Sequence, residues 1–320
     1  MSSTATTSPA TKTVRAAGSS FDPVFRILCA SAATMLLATL GGIVFSLLLG
    51  GWPALSKFGL SFFTSSTWDP NADIYGGAGP IVGTLVTAVL SLLIALPLAF
   101  GIAVFLVEFC PVWLRRPIGV AVELLAGVPS IVYGMWGLFV FAPLFSQWVE
   151  LPLITWAPAG SIWEKAFSGI PNGSGILAAS IILAVMILPY IAATMRELFL
   201  TVPPKVRESA YGVGCTTVEV VWSVTLPYVR QGAIGAVMLG LGRALGETMA
   251  VTFIIGNSHA FPKSLFDSGS TIASTIANEF TEATSPVHTG ALVALGLVLF
   301  LITFTVLGFA RLLLRPREGR

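Results

Sequence analysis

Six apolar runs of about 20 residues divide this 320-residue chain, and each is long enough to cross roughly 30 Å of hydrocarbon. They fall at 27–49, 80–107, 118–145, 176–195, 232–256 and 290–314. Inside lipid every backbone N–H and C=O must find its partner within the protein, so runs of this kind can only be helices. The chain is therefore expected to be an all-α, polytopic membrane protein with six transmembrane helices. Only 10% of its residues are charged, against about a quarter in soluble domains. Pro97, Pro129 and Pro189 lie inside runs, where neighbouring groups can satisfy the carbonyls that proline frees.

The basic residues set the orientation. Thirteen of the seventeen lysines and arginines, from Lys12 and Arg15 through Arg115, Arg196, Arg207 and Arg230 to Arg320, fall on one side. Lys57, Lys165 and Lys263 fall on the other, and Arg243 lies within a run. By the positive-inside rule both termini and the loop 197–228 are expected on the cytoplasmic side of the membrane. Residues 1–26 read as a flexible tail, 27–315 as the membrane domain and 316–320 as a short cytoplasmic tail. The first run is too long for the core of a cleaved signal and reads as an anchoring helix. The net charge of +2 reflects topology and gives no reason to expect a nucleic acid partner.

Several chemistries have no residues to support them. No lysine follows a glycine, so there is no phosphate-cradling G-x4-G-K loop, and neither an H-E-x-x-H nor a G-x-S-x-G motif occurs. Cys29, Cys110 and Cys215 are scattered and make neither a metal site nor an outer disulfide. His259 and His288 read as isolated outer-surface residues. No catalytic role, metal or cofactor is expected, and any ATP chemistry has to come from another chain. The outer loops 50–79 and 146–175 are rich in tryptophan and proline, as suits the membrane interface. In the third, 257–289, Ile272, Ile276 and Phe280 recur every four residues, one face of a short helix.

The polar loop 197–228 is the most structured part of the water side. Pro203-Pro204 stops the preceding helix, and a short helix over Arg207 to Tyr211 follows. Gly212 and Gly214 permit a reversal through positive φ. Thr216 is placed to cap a second helix with Glu219 as its reciprocal partner, Val220, Val221 and Val224 form its apolar side, and Pro227 marks the turn into the fifth span. Two short helices around a glycine hinge make a knob that a partner can grip.

The residues Glu208, Ser209, Ala210, Gly214, Leu226 and Pro227 follow the spacing Glu-x-Ala-x3-Gly-x9-(Ile/Val)-x-Leu-Pro. This resembles the loop by which permease subunits of bacterial ABC importers dock on their ATPases. The stretch from Gly240 to Val251, reading GLGRALGETMAV, is similar to PstC-type subunits of the phosphate-specific importer, as are the segments from Phe21 to Arg26 and from Gly127 to Gly134. The resemblance covers 21–315. It implies the type I ABC importer permease fold, phosphate as solute, a PstA-like second permease, a PstB-like ATPase dimer and a PstS-like phosphate-binding protein.

Arg243 and Glu247 are four residues apart within the fifth run and are expected on one helix face. They are either a structural ion pair or the positive field and its tether in a path for a hydrated oxyanion. Pro129 and Ser130 either open the third helix toward that path or form a packing kink. Sulfate, molybdate or phosphonate would suit the same chemistry, and an ATP-independent secondary transporter is the rival of another class.

Overall fold

The computed structural model describes residues 22–158 and 160–313, which fall into two compact units, Met1–Ser46 and Leu47–Arg320. Of the expected tails, 1–21 and 316–320 lie outside the described residues, whereas 22–26 are helical rather than part of a flexible tail. In the first unit the described residues form the start of α1 (Asp22–Phe58), with Val24, Phe25, Leu28, Met35 and Leu37 all exposed. A helix apolar on every side belongs in lipid.

In the second unit, the remainder of α1 is followed by a two-residue antiparallel ribbon, β1 (Trp68–Asp69) and β2 (Ile74–Tyr75), with Trp68 opposite Tyr75. Then come α2 (Ala78–Phe109), α3 (Val112–Ala126), α4 (Ser130–Trp156) and α5 (Ile176–Leu200). The short helices α6 (Pro204–Gly212) and α7 (Thr217–Val220) precede α8 (Leu226–Leu245) and α9 (Met249–Thr252). The chain ends with α10 (Ile272–Glu279) and α11 (Pro286–Leu313).

Five helices among the described residues are long and apolar enough to span a membrane: Pro23–Phe58, Ala78–Phe109, Ser130–Trp156, Ile176–Leu200 and Pro286–Leu312. The fifth expected run is occupied by α8, whose Arg230, Gln231 and Arg243 leave it less apolar than the others, and it stops at Leu245 rather than 256. The third run is also displaced. Helix α3 ends at Ala126, Pro129 adopts φ −57° and ψ 137°, and a new helix starts at Ser130 and runs to Trp156. Val128 lies in a bend and Pro129 is extended, so the helix breaks here, whereas Pro97 and Pro189 stay inside continuous helices.

Proline leaves a second mark. Wide, π-type turns occur at Phe105–Phe109, Gly137–Phe141, Ser146–Glu150 and Val221–Thr225, and each ends two residues before a proline: Pro111, Pro143, Pro152 and Pro227. A proline ring collides with the carbonyl four residues back, and a wider turn relieves that crowding.

The buried axis is α5, where Ile182, Leu183, Ile187, Ile191 and Ala192 are at most 1% exposed. Against it α2 lays a seam of small residues, Thr84, Ala88, Ser91, Ala95, Ala99 and Ala103, all at most 2% exposed. Small residues at three- and four-residue spacing let backbones approach closely, which replaces the hydrophobic drive absent in lipid. The same device joins α1 to α11, because a Cβ on Gly51 would sit 3.1 Å from the backbone of Ala294. At one end of α5, Arg196 lies across Gly119 of α3 and bonds Glu123 at 3.2 Å and Glu197 at 2.7 Å.

The outer loops are tied together by one carboxylate. Glu279 at the end of α10 accepts from Trp68 Nε1 at 2.7 Å, and His259 Nε2 and His288 Nε2 each lie 2.9 Å from its oxygens. His259 stacks on Trp68 at 4.9 Å and His288 on Tyr75 at 4.9 Å. The two histidines are thus joined and partly buried, not isolated at the surface. Nothing in their spacing foretold it, since the partners come from four separate segments.

Burial raises the Glu279 carboxyl, but hydrogen bonds from His259, His288 and Trp68 outweigh it and hold the group below the ordinary carboxylate range. A depressed carboxyl stabilises the fold fully above its unfolded value of about 4.3, and that contribution is lost as pH falls through the folded value. Glu279→Gln is expected to lower the melting midpoint of purified protein by about 2–4 °C near neutral pH. The gap to wild type should close as pH falls below about 4.

Candidate functional site

The loop after α5 folds as a knob of two helices. Pro203 (φ −58°, ψ 134°) ends the preceding turn and Pro204 opens α6, where its missing N–H costs nothing. Gly214 takes φ +94°, which favours glycine. Gly212 remains the last residue of α6, so one glycine makes the reversal rather than two. The capping box forms as expected: Thr216 N–H donates to Glu219 Oε2 at 2.7 Å and Glu219 N–H donates to Thr216 Oγ1 at 3.4 Å. The Thr216 backbone and hydroxyl hold the Glu219 carboxyl below its ordinary range.

Pro227 does not mark a turn. Helical structure runs from Thr217 through the wide turn into α8, with Pro227 in the first turn of α8. Val220 and Val221 are buried within this chain, so they anchor the knob rather than offering a surface.

The knob therefore has two faces. Outward lie Glu208, Ser209, Gly212, Val213, Gly214 and Val218, with Val213 82% exposed and nothing within 4 Å of a Cβ built on Gly212 or Gly214. Ala210 and Leu226 are half-buried and Pro227 is exposed.

Inward lies a contact that the sequence pattern does not disclose. Glu108, in the last wide turn of α2, accepts from Arg207 Nη2 at 2.6 Å and from the Tyr211 hydroxyl at 3.2 Å. Its side chain is 4% exposed. Arg207 and Tyr211 are one helical turn apart and so share a face of α6. A lone acid at the end of an apolar span was the available signal, but its partners are about a hundred residues away.

The second candidate region is where helices are interrupted. Gly246 (φ −96°, ψ 4°) ends α8, and Glu247 lies beyond the helix. Arg243 and Glu247 therefore do not share a helix face, and they form no ion pair among the described residues. Glu247 Oε1 instead accepts from the Ala250 N–H at 3.3 Å, at the start of the next turn. The Arg243 guanidinium is exposed and lies 5.9 Å from the centre of the Tyr190 ring.

The other interruption precedes Ser130, and Tyr133 bridges it by donating to the Leu125 carbonyl at 2.9 Å. The helices beyond the two breaks pack together, since a Cβ on Gly134 would lie 3.0 Å from Ala250 Cα and 2.9 Å from the Phe253 ring. Pro129 and Ser130 thus stand at the start of the helix that α9 packs on. Among the described residues no group of three or more His, Cys, Asp or Glu is arranged to hold a metal ion.

Residues 95–317 match the family model of the binding-protein-dependent transport system inner membrane component. The chain is 52% identical over 299 residues to the phosphate transport system permease protein PstC of Mesorhizobium japonicum, covering 93% of this chain and 91% of that protein. It is 51% identical over 300 residues to the PstC of Pasteurella multocida, covering 93% of each. Among solved structures it is similar to a bacterial ABC transporter involved in the import of the acidic polysaccharide alginate. The TM-score is 0.54 at 17% identity, over 93% of this chain and 99% of that one, a likeness of fold.

The close approach at Gly134 yields a test. Gly134→Val must push α9 off α4, and overpacking of this kind costs about 1–3 kcal/mol. The expected result is a lower melting midpoint, measured by thermal unfolding in detergent, with a smaller loss for Gly134→Ala.

Proposed function

The chain belongs to the binding-protein-dependent transport system inner membrane component family, among its PstC-type members, and we propose that it is the permease subunit of an ATP-driven phosphate importer. The observation that carries this reading is the knob of α6 and α7, whose outward face is left unpartnered by the chain's own fold. Glu208, Ser209 and Gly214 lie on that face, so a partner ATPase can seat the knob in a groove. The chain itself has no phosphate-cradling loop, and the ATP is hydrolysed by a PstB-like dimer.

The remaining partners follow from the same reading: a PstA-like subunit completes the path and a PstS-like protein delivers phosphate from outside. The basic residues of the loop and of the ends of α3 and α5 support a cytoplasmic position for the knob and both termini, by the positive-inside rule. ATP binding closes the ATPases, moves the two knobs of the permease pair together and opens the path outward. Hydrolysis returns it to the inward-open state.

Arg243 gives the solute its field. A charge in a membrane segment costs about 2.5–3.5 kcal/mol on insertion scales and so faces a bundle interior or a wet cavity. With Glu247 turned to the Ala250 N–H, the guanidinium keeps its positive field for an oxyanion. Its exposure within the single subunit leaves it open to the path between two permeases. Specificity is set by the binding protein, so the path needs only weak attraction and easy release. The breaks at Pro129 and Ser130, and at Gly246 and Glu247, leave unwound backbone for that passage.

Two sets of substitutions test this. Arg243→Gln should lower labelled phosphate uptake by about tenfold or more, as expected for removal of a focused charge, with the protein present at normal levels. Sulfate or molybdate uptake in place of phosphate would move the reading to another oxyanion. Glu208→Lys and Gly214→Asp should each reduce the ATPase that co-purifies with the chain, and intact transport after ATPase deletion would favour a secondary transporter.

A further inference from the structure

We propose that Glu108 is the joint through which the knob drives the membrane helices, a positioning residue that ties α6 to α2. The inference rests on the reading of α6 and α7 as the ATPase-docking knob. Its own basis is geometric. The Glu108 carboxylate is 4% exposed, and one oxygen takes the Arg207 guanidinium at 2.6 Å while the other takes the Tyr211 hydroxyl at 3.2 Å. Two donors on one face of α6 meet one acceptor, which fixes the orientation of the helix as well as its distance. A charge-assisted bond in a buried setting is strong, and losing one partner leaves an uncompensated charge.

The acceptor also sits on the helix best placed to transmit movement. Helix α2 packs along the buried axis α5 through its small-residue seam. Its opposite end holds the outer loop, because Thr84 Oγ1 accepts from the Ile272 N–H at 2.9 Å. The backbone there is in close contact as well: a Cβ on Gly79 or Gly83 would collide with the carbonyl oxygens of His259 and Ser270 respectively. His259 in turn reaches Glu279 and the outer clasp. One helix thus touches the docking knob at one end and the outer loops at the other. The wide turn at Phe105–Phe109 shifts the helical register where Glu108 leaves α2, as such turns do at functional sites.

A joint differs from a mere brace in what its loss does. A brace lowers the amount of folded complex and leaves the stoichiometry of transport alone. A joint, when cut, lets the ATPases cycle without moving the path. The test is the number of labelled inorganic phosphate ions imported per ATP hydrolysed, in proteoliposomes holding the full importer with its binding protein.

Glu108→Gln, Arg207→Gln and Tyr211→Phe are compared with wild type, together with the double variant Glu108→Gln/Arg207→Gln. The expected result is a fall in the ratio of about tenfold for Glu108→Gln and for Arg207→Gln, and less for Tyr211→Phe. The double variant should be no worse than either single, because both cut one joint. A ratio unchanged in every variant, or losses that multiply in the double, would overturn the proposal.

Should Glu108→Gln fail to assemble, Arg207→Gln and Tyr211→Phe read the same joint from the more exposed side and decide the question. Wild-type complex that hydrolyses ATP but imports no phosphate would sink the functional reading instead, whatever the variants do.

Discussion

Satisfying backbone hydrogen bonds without water is the constraint on which the rest of this structure depends. In a segment without a closed barrel around it only a helix meets that demand, so every departure from regular helix needs a local reason. Most departures here have one in proline. Four wide turns stand two residues ahead of Pro111, Pro143, Pro152 and Pro227, and the helix before Pro129 stops outright. The break at Gly246 is of a different kind, with no proline near it. It lies between Arg243 and Glu247.

What could be read from the sequence follows the range of the forces. Length and hydropathy placed the spans at 80–107 and 176–195 within a few residues of the helices Ala78–Phe109 and Ile176–Leu200. Local hydrogen-bond chemistry placed the Thr216 and Glu219 capping box, the stop at Pro203 and the turn at Gly214. The helix at Ile272 to Glu279 was visible from its four-residue period.

The failures are of two sorts. Spacing over four residues put Arg243 and Glu247 on one face, and a single glycine between them cancelled it. The contacts of Glu108 with Arg207 and of Glu279 with both histidines join residues far apart in the chain, and no local pattern encodes such a meeting. The local fold of the knob was therefore legible. Its contact with α2 was not.

Together these features describe a chain built around one buried axis, α5, against which α2 packs through small side chains, with side-chain contacts to α6 at one end and to the outer loops at the other. The knob presents polar and small residues outward while its arginine and tyrosine turn inward to α2. Arg243 stands in the last turn of α8, and Glu247 turns instead to the Ala250 N–H.

The central claim is ATP-driven movement of phosphate, and vectorial transport measures it most directly. The chain, its partner permease and the ATPase dimer are placed in proteoliposomes, with phosphate and its binding protein on one side and ATP on the other. The account predicts that labelled phosphate accumulates only when ATP and the binding protein are both present, and that excess sulfate does not compete. Accumulation without ATP, or a preference for sulfate over phosphate, would contradict it.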